Sequence, residues 1–263
     1  MEAYSNFAAV YDTFMDETPY EEWSAFIAGL IEEYGVSRPV KSGEERDLVV
    51  DLGCGTGTFT ECMAALGYDM IGIDNAAEML AVAMEKKAGA GSSTLYLLQD
   101  MRELDLYSTV GTVISVCDSV NYLLQEEDLL ETFRLVNNFL YPGGIFLFDF
   151  NTVYKYEEVI GDTTIAENRE DCSFIWENYY DPKEQINEYD LTIFVKDEED
   201  EACFRRFQET HYQRGYGPEQ MKRLVEAAGM KVELMLDADT QGGIRPESER
   251  IYILAREVEK NAE

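Results

Sequence analysis

A doubly wound α/β sheet, mainly parallel and carrying an inserted antiparallel β cap, is the fold class that the 263-residue sequence predicts. Three observations predict it. Strand-length apolar runs alternate with helix-period segments between residues 48 and 150. The first of these runs passes through a glycine-rich turn directly into a helix. After Asn151 the pattern changes to aromatic and β-branched alternation, and near residue 217 a helix and two further strands resume. Buried apolar strands alternating with helices imply a parallel sheet covered on both faces.

In chain order, Thr18-Pro19-Tyr20-Glu21 predicts a helix start, with Thr18 as cap, Pro19 in the first helical position and Glu21 completing a capping box. Trp23, Phe26, Ile27, Leu30, Ile31 and Tyr34 follow at helical spacing, and Gly35 ends the run. Leu48 to Leu52 reads as a fully buried strand, and the helix after it carries Phe59, Cys62, Met63 and Leu66 up to Gly67. Met70 to Asp74 is a second strand, and Asn75 caps the helix bearing Met79, Leu80, Ala83 and Met84. Thr94 to Leu98 and Thr112 to Cys117 are strands three and four. A helix through Leu129, Phe133, Val136 and Leu140 stops at Pro142-Gly143-Gly144, and Ile145 to Phe150 is strand five.

Residues 163–213 form the meander, with loop tips at Asp181-Pro182-Lys183-Glu184 and Asp197 to Glu201. Gly217-Pro218 opens a helix that Gly229 closes, and strands near 231–236 and 250–255 complete the core. The α/β core with an N-terminal helical lid therefore takes residues 1–160 and 214–263, and the cap takes 161–213.

Composition narrows the function. Hydrophobic residues make up 46% of the chain, enough for a packed core. No apolar stretch approaches the roughly 18 residues that a membrane helix needs, and Met1 to Asn6 lacks the basic-then-apolar pattern of a signal peptide. A cytoplasmic protein is expected, with no membrane association. Five cysteines without a CxxC pair argue against a disulfide framework or a structural zinc site, and no metal is expected. The net charge of −32, from 21 basic and 53 acidic residues, repels nucleic acid and polyanionic substrates. A neutral or cationic small molecule is the expected partner.

The segment that carries chemistry is Asp51-Leu52-Gly53-Cys54-Gly55-Thr56-Gly57, a buried strand, a glycine turn and then a helix. Glycine admits positive φ and lets a ligand approach the backbone, and a helix N-terminus presents unpaired amides. A dinucleotide fingerprint would need a third glycine at 58 or 60, and both positions are threonine. No Gly-Lys-Ser/Thr follows, so a phosphate-binding Walker loop is excluded. Asp74 ends the second strand, where a carboxylate can accept both hydroxyls of a ribose. Asp100 and Met101 follow strand three, placed to meet an adenine amino group and to pack its ring. Cys117-Asp118-Ser119-Val120-Asn121-Tyr122 follows strand four.

With these pieces in order, the sequence resembles the class I S-adenosylmethionine (SAM)-dependent methyltransferases. The resemblance covers about residues 45–150 and, more loosely, the C-terminal strands. It implies a Rossmann-like methyltransferase fold, a seven-stranded mainly parallel sheet whose last strand is antiparallel. It implies that the glycine turn (Asp51, Gly53, Cys54, Gly55, Thr56, Gly57) meets the methionine part of SAM. Asp74 would then sit at the ribose, Asp100 and Met101 at the adenine, Cys117 and Asp118 at the transferred methyl, and Asn75 and Met79 would also contact the cofactor. Tyr4, Phe7 to Asp12 and Met15 further resemble the opening of small bacterial methyltransferases, which implies that this segment covers the cofactor and that Tyr11 touches it. The meander resembles the substrate cap of that group, seen also in some sugar-amine and small-amine N-methyltransferases. The loop after strand four is not the Asn/Asp-Pro-Pro-Tyr of adenine or glutamine N-methyltransferases, and no Pro-Cys nucleophile of the cytosine-C5 enzymes is present.

The expected reaction is direct displacement, in which a nucleophilic N, O or C attacks the sulfonium methyl and the protein positions and desolvates. His211, the only histidine, is the candidate base, with a structural role inside the sheet as its competitor. Asn121, Tyr122, Trp176 and Arg214 are the candidate substrate contacts, Arg214 with a carboxylate ion pair as its other expected role. Two alternatives stand beside a small-molecule N or O acceptor. One is transfer to protein or RNA, and the other is a non-catalytic SAM-binding regulator. Either a monomer or a homodimer is compatible with the sequence.

Overall fold

The computed structural model describes residues 7–40, 42–197, 200, 203–258 and 260. Glycine-terminated amphipathic segments and apolar runs become six α-helices and eleven strands among these residues. In chain order, α1 (Ala8–Phe14) and α2 (Tyr20–Tyr34) precede β1 (Leu48–Leu52), α3 (Thr58–Ala65) and β2 (Asp69–Asp74). Then come α4 (Ala77–Ala90), β3 (Leu95–Leu98), β4 (Val110–Ser115), α5 (Glu126–Phe139) and β5 (Leu140–Asn151). Four strands follow: β6 (Thr164–Asn168), β7 (Cys172–Asp181), β8 (Ile186–Lys196) and β9 (Phe204–Arg214). The chain closes with α6 (Pro218–Ala227), β10 (Met230–Asp237) and β11 (Arg250–Glu257).

Seven strands form one sheet in the order β10-β11-β5-β4-β1-β2-β3. Strands β1 to β5 run parallel to one another, and β11 runs antiparallel to both β5 and β10. Side chains alternate across the strands. Val50, Leu52, Phe146, Phe148 and Phe150 pack against α5 and α6 on one face, through Leu129, Phe133, Met221 and Val225. On the other face Val49, Ile114, Ile145 and Leu147 pack against Ile27, Ile31, Phe59 and Met63 of α2 and α3. Each fully buried side chain of this kind stabilises the fold by roughly 1.5–3 kcal/mol. The strand order reverses between β1 and β4, which opens a crevice at their carboxyl ends, the usual ligand position in such sheets.

Strands β6-β7-β8-β9 make a second, wholly antiparallel sheet. Its apolar face, with Phe174, Leu191 and Ile193, is covered by Phe7, Val10 and Phe14 from the N-terminal segment. The tips expected at 181–184 and 197–201 separate β7 from β8 and β8 from β9, with Glu198, Glu199 and Glu201 outside the described residues.

Local details depart from expectation at three places. Helix α2 begins one residue late: Pro19 is its cap residue and no side chain caps it. The carbonyl of Thr18 accepts from Tyr20 N (2.8 Å), so the backbone turns there and the Thr18 hydroxyl lies near Met15 Sδ instead. Asn75 does not cap α4. Ala76 occupies the cap position, and Asp74 Oδ1 accepts from its amide (2.9 Å). Pro142-Gly143-Gly144 does not precede strand five but lies within it, where the β4–β5 register shifts between Val110 and Thr112.

Candidate active site

The glycine turn is built by close packing. Gly53 has φ +83°, and a Cβ there would lie 2.6 Å from Ser119 Cβ. Gly57 has φ +74°, with Tyr96 Oη 2.5 Å from the position a Cβ would take. Any side chain at either position would be both strained and blocked. The carbonyl of Ile73 accepts from Gly53 N (2.8 Å) and Cys54 N (2.9 Å), pinning the turn to β2. Asp74 Oδ2 accepts from Gly55 N (2.8 Å), so the acid that ends β2 also sets the turn's shape.

This turn forms one wall of a cleft enclosing about 1000 Å³ together with its open mouth. Asp51, Gly53, Cys54, Gly55 and Thr56 line it on the β1 side, and Asp74, Asn75, Met79, Gln99 and Met101 on the β2 and β3 side. Cys117, Ser119 and Tyr122 line it beyond β4, and Tyr11 and Tyr20 come in from the N-terminal helices. Gly57 is not among the lining residues. Thr58, Phe59 and Val116 also line the cleft, although no local signal in the sequence singled them out.

The donor set fits SAM. Asp51 is 1% exposed, accepts from Thr60 Oγ1 (2.5 Å) through Oδ2, and has no hydrogen-bond partner among the described residues for Oδ1. Burial pushes its carboxyl up to about 7, against the Thr60 bond and with the nearby Asp74 adding to the effect. An ammonium group is the natural partner for that orphaned oxygen. Asp74 is likewise raised by burial, opposed by bonds from Ala76, Gly55 and Asn75 amides. Met79 and Met101 supply soft apolar surface for a flat ring.

Asp100 lies elsewhere. It does not line the cleft: its carboxylate takes Arg102 Nη2 at 2.6 Å and Arg102 Nε at 3.0 Å, and that guanidinium holds it below the usual carboxylate range. Gln99 stands at the cleft in its place, its side chain also bonded to the Asp105 backbone.

Beyond β4 the chain adopts an unusual path. Cys117 (φ 58°) and Asp118 (φ 53°) are both left-handed, a conformation that costs an L-residue of order 1–3 kcal/mol. Asp149 of β5 holds them there, accepting from Cys117 N (3.2 Å) and Asp118 N (2.7 Å). Arg250 of β11 pairs with Asp149 at 3.6 Å and lies 4.5 Å over the Trp23 ring. Burial, followed by the negative Asp149 and Asp118, pushes the Cys117 thiol well above its ordinary value, which disfavours the thiolate. Asp118 does not line the cleft either. Its carboxylate accepts from Gln213 Nε2 of β9 (2.6 Å), and burial pushes it up to about 6. Asp149, Arg250 and Gln213 escaped the sequence reading. An acid within the apolar run Ile145 to Phe150 was the available signal, because a buried charge demands partners.

The second sheet meets the core at this loop. Asn121 is fully buried and donates to the carbonyls of Asn151 (2.9 Å) and Arg214 (2.7 Å), a joint between sheets rather than a cleft contact. Among the described residues no carboxylate pairs with Arg214, although such a pair was expected. Nη1 donates to the Leu124 carbonyl (3.0 Å) and the guanidinium lies 5.5 Å over Tyr216. Trp176 packs edge-on to Tyr189 (4.9 Å) inside the second sheet, away from the cleft. Of the four expected substrate contacts, Tyr122 alone lines the cleft. His211, 4% exposed within β9, lies beside Tyr122.

Helix α1 spans both sheets. Asp12 accepts from Thr56 Oγ1 (2.7 Å) and Thr58 Oγ1 (3.1 Å) and pairs with Lys86 (2.6 Å), while Asp16 pairs with Arg169 of the β6–β7 turn (2.9 Å). Tyr4 lies outside the described residues.

Residues 49–144 match the family described as Methyltransferase domain. The protein named "Putative methyltransferase YqeM" of Bacillus subtilis (strain 168) is 34% identical over 254 residues, which cover 96% of each chain. The crystal structure of a SAM-dependent methyltransferase from Clostridium acetobutylicum ATCC 824 matches with TM-score 0.83 at 27% identity, covering 97% of this chain and 99% of that one. The sugar N-methyltransferase KedS8 from Streptoalloteichus sp ATCC 53650 shares the fold, with TM-score 0.73 at 18% identity over 95% of this chain and 93% of its own.

Proposed function

The chain belongs to the SAM-dependent methyltransferases, and from that premise we propose that it methylates a nitrogen or oxygen of a neutral or cationic small molecule. The bound cofactor supplies the electrophilic methyl and keeps the electron pair of the broken carbon–sulfur bond. The chain's own residues bind, orient and exclude water. In this reading Asp51 Oδ1 receives the ammonium of the methionine part, Asp74 the ribose hydroxyls, and Met79 and Met101 the adenine. The core of residues 1–160 and 214–263 carries the cofactor, and residues 161–213 cap the acceptor.

One observation carries the acceptor class. The only charged side chains among the described residues lining the cleft are the acids Asp51 and Asp74. An anionic acceptor would find no counter-charge there and would approach a chain of net charge −32. An amine or hydroxyl meets no such penalty.

Calorimetric titration with SAM, S-adenosylhomocysteine and NAD tests the cofactor: the first two bind and NAD does not. A screen of small amines, amino sugars and hydroxylated metabolites, read by S-adenosylhomocysteine release, then tests the acceptor. Turnover by neutral or cationic compounds supports the reading. Turnover confined to RNA, protein or anionic acceptors overturns it.

A further inference from the structure

His211 sits in β9 opposite Tyr189 of β8, and strand alternation puts Glu209 on its face. His211 Nδ1 lies 3.4 Å from Tyr122 Oη, and Nε2 lies 3.4 Å from Glu209 Oε2. The Glu209 side chain is 1% exposed, and its Oε1 accepts from Phe7 N (3.1 Å). Tyr122 reaches the cleft from the turn after β4. A buried carboxylate and an imidazole on β9 thus stand next to a hydroxyl that reaches the ligand cleft from the turn after β4.

The neighbouring charge biases the tautomer. Glu209 Oε2 stands at ion-pair distance from Nε2, and a negative charge there favours the hydrogen on Nε2. Nδ1 of the neutral ring is then an acceptor, and the Tyr122 hydroxyl is the donor that faces it. A carboxylate holding the far nitrogen of a histidine is the arrangement that fixes a tautomer and stabilises the imidazolium form.

We propose that Tyr122 is the catalytic residue that takes the acceptor's proton, and that His211, positioned by Glu209, takes the proton Tyr122 gives up. The acceptor's N–H or O–H bond breaks, and its electron pair stays on the acceptor atom, which thereby becomes the nucleophile. The proton passes to Tyr122 Oη as the phenol's own proton passes to Nδ1. The phenol is regenerated, and the imidazolium is paired with Glu209. The relay rests on the methyl-transfer reading above for its purpose, but its geometry can be read without substrate or cofactor.

The experiment is nitrogen NMR of the full chain labelled with [15N]histidine, in which every imidazole signal comes from one ring. The wild-type protein, which requires no variant to fold, is expected to show Nε2 protonated and Nδ1 bare. Tyr122→Phe is expected to move the Nδ1 resonance toward that of an unbonded nitrogen, and Glu209→Gln to shift the ring toward the Nδ1–H form. With an acceptor from the screen, Tyr122→Phe and His211→Gln are expected to lower kcat by roughly 10²–10⁴-fold with KM little changed, and His211→Gln, at a residue outside the cleft lining, to leave the Kd for SAM at the wild-type value. An Nδ1–H ring in the wild type, an unmoved Nδ1 in Tyr122→Phe, or turnover within twofold of wild type overturns the relay. Loss of SAM binding by the wild-type protein overturns the methyl-transfer reading instead.

Discussion

Asp74 shows how one side chain can hold a site and serve it. Its two oxygens accept from Gly55 N and Ala76 N, which fixes the glycine turn against the start of α4, and the same carboxylate lines the cleft. Asp74→Ala is expected to weaken SAM binding by about 1–3 kcal/mol through lost hydrogen bonds, measured by calorimetry. Unchanged affinity would remove Asp74 from the cofactor's ribose. Asp100 teaches the converse. Its position after strand three made it the expected adenine contact, yet the neighbouring Arg102 captures it. A cation two residues away competes for a carboxylate more cheaply than a ligand across a cleft, and sequence position cannot show which way the side chain turns.

At the scale of elements, α1 is the part whose role depends on what it touches. Phe7, Val10 and Phe14 cover the second sheet, and Asp12 grips Thr56 and Thr58 beside the glycine turn and Lys86 of α4. The helix thereby couples the glycine turn to the antiparallel sheet. Asp12→Ala is expected to speed SAM dissociation roughly fivefold, the loss of about 1 kcal/mol from a partly exposed charged contact, measured by stopped-flow displacement. An unchanged dissociation rate would mean that α1 does not restrain the cofactor. The heptad-like spacing of α2 and the glycine stops of its neighbours were legible because they are local. The start of α2 was missed because Pro19 and Thr18 settle their conformation through a backbone bond that no cap motif encodes.

For the whole molecule, the dominant feature is its acidity, and a few of its acids are buried near the switch point of the sheet. Asp51 and Asp118 are pushed up by burial to about 7 and about 6, from an unfolded value near 3.8. The folded state therefore holds protons that the unfolded chain has already released. Their contribution to stability is fully present below the unfolded value and is lost as pH rises through the window toward 6 and 7, by up to about 1.4 kcal/mol per pH unit for each group. Denaturant midpoints of the cofactor-free protein are expected to drop between pH 5 and pH 8. Asp51→Asn should flatten that drop, because its neutral amide has no proton to lose. An equal drop in the variant would show that Asp51 is not held as a buried acid.

Periodicity, glycine placement and charge were enough to determine the doubly wound core, the glycine turn, the ends of β1 and β2, and the antiparallel character of residues 163–213, while β4 ends at Ser115, two residues before the expected Cys117. Each of these follows from interactions within a few residues: backbone hydrogen bonding, side-chain alternation and the freedom of glycine at positive φ. The tertiary structure alone decided which strand ends face one another. It brought Asp149 and Arg250 beneath the left-handed Cys117 and Asp118, laid Asp12 on Thr56, and set Tyr122 beside His211 and Glu209. Those partners stand 31, 44 and 89 residues apart across Asp118–Asp149, Asp12–Thr56 and Tyr122–His211. Contacts at such separations arise from the order in which strands assemble and from the burial of polar groups that must then find each other, neither of which a local pattern records.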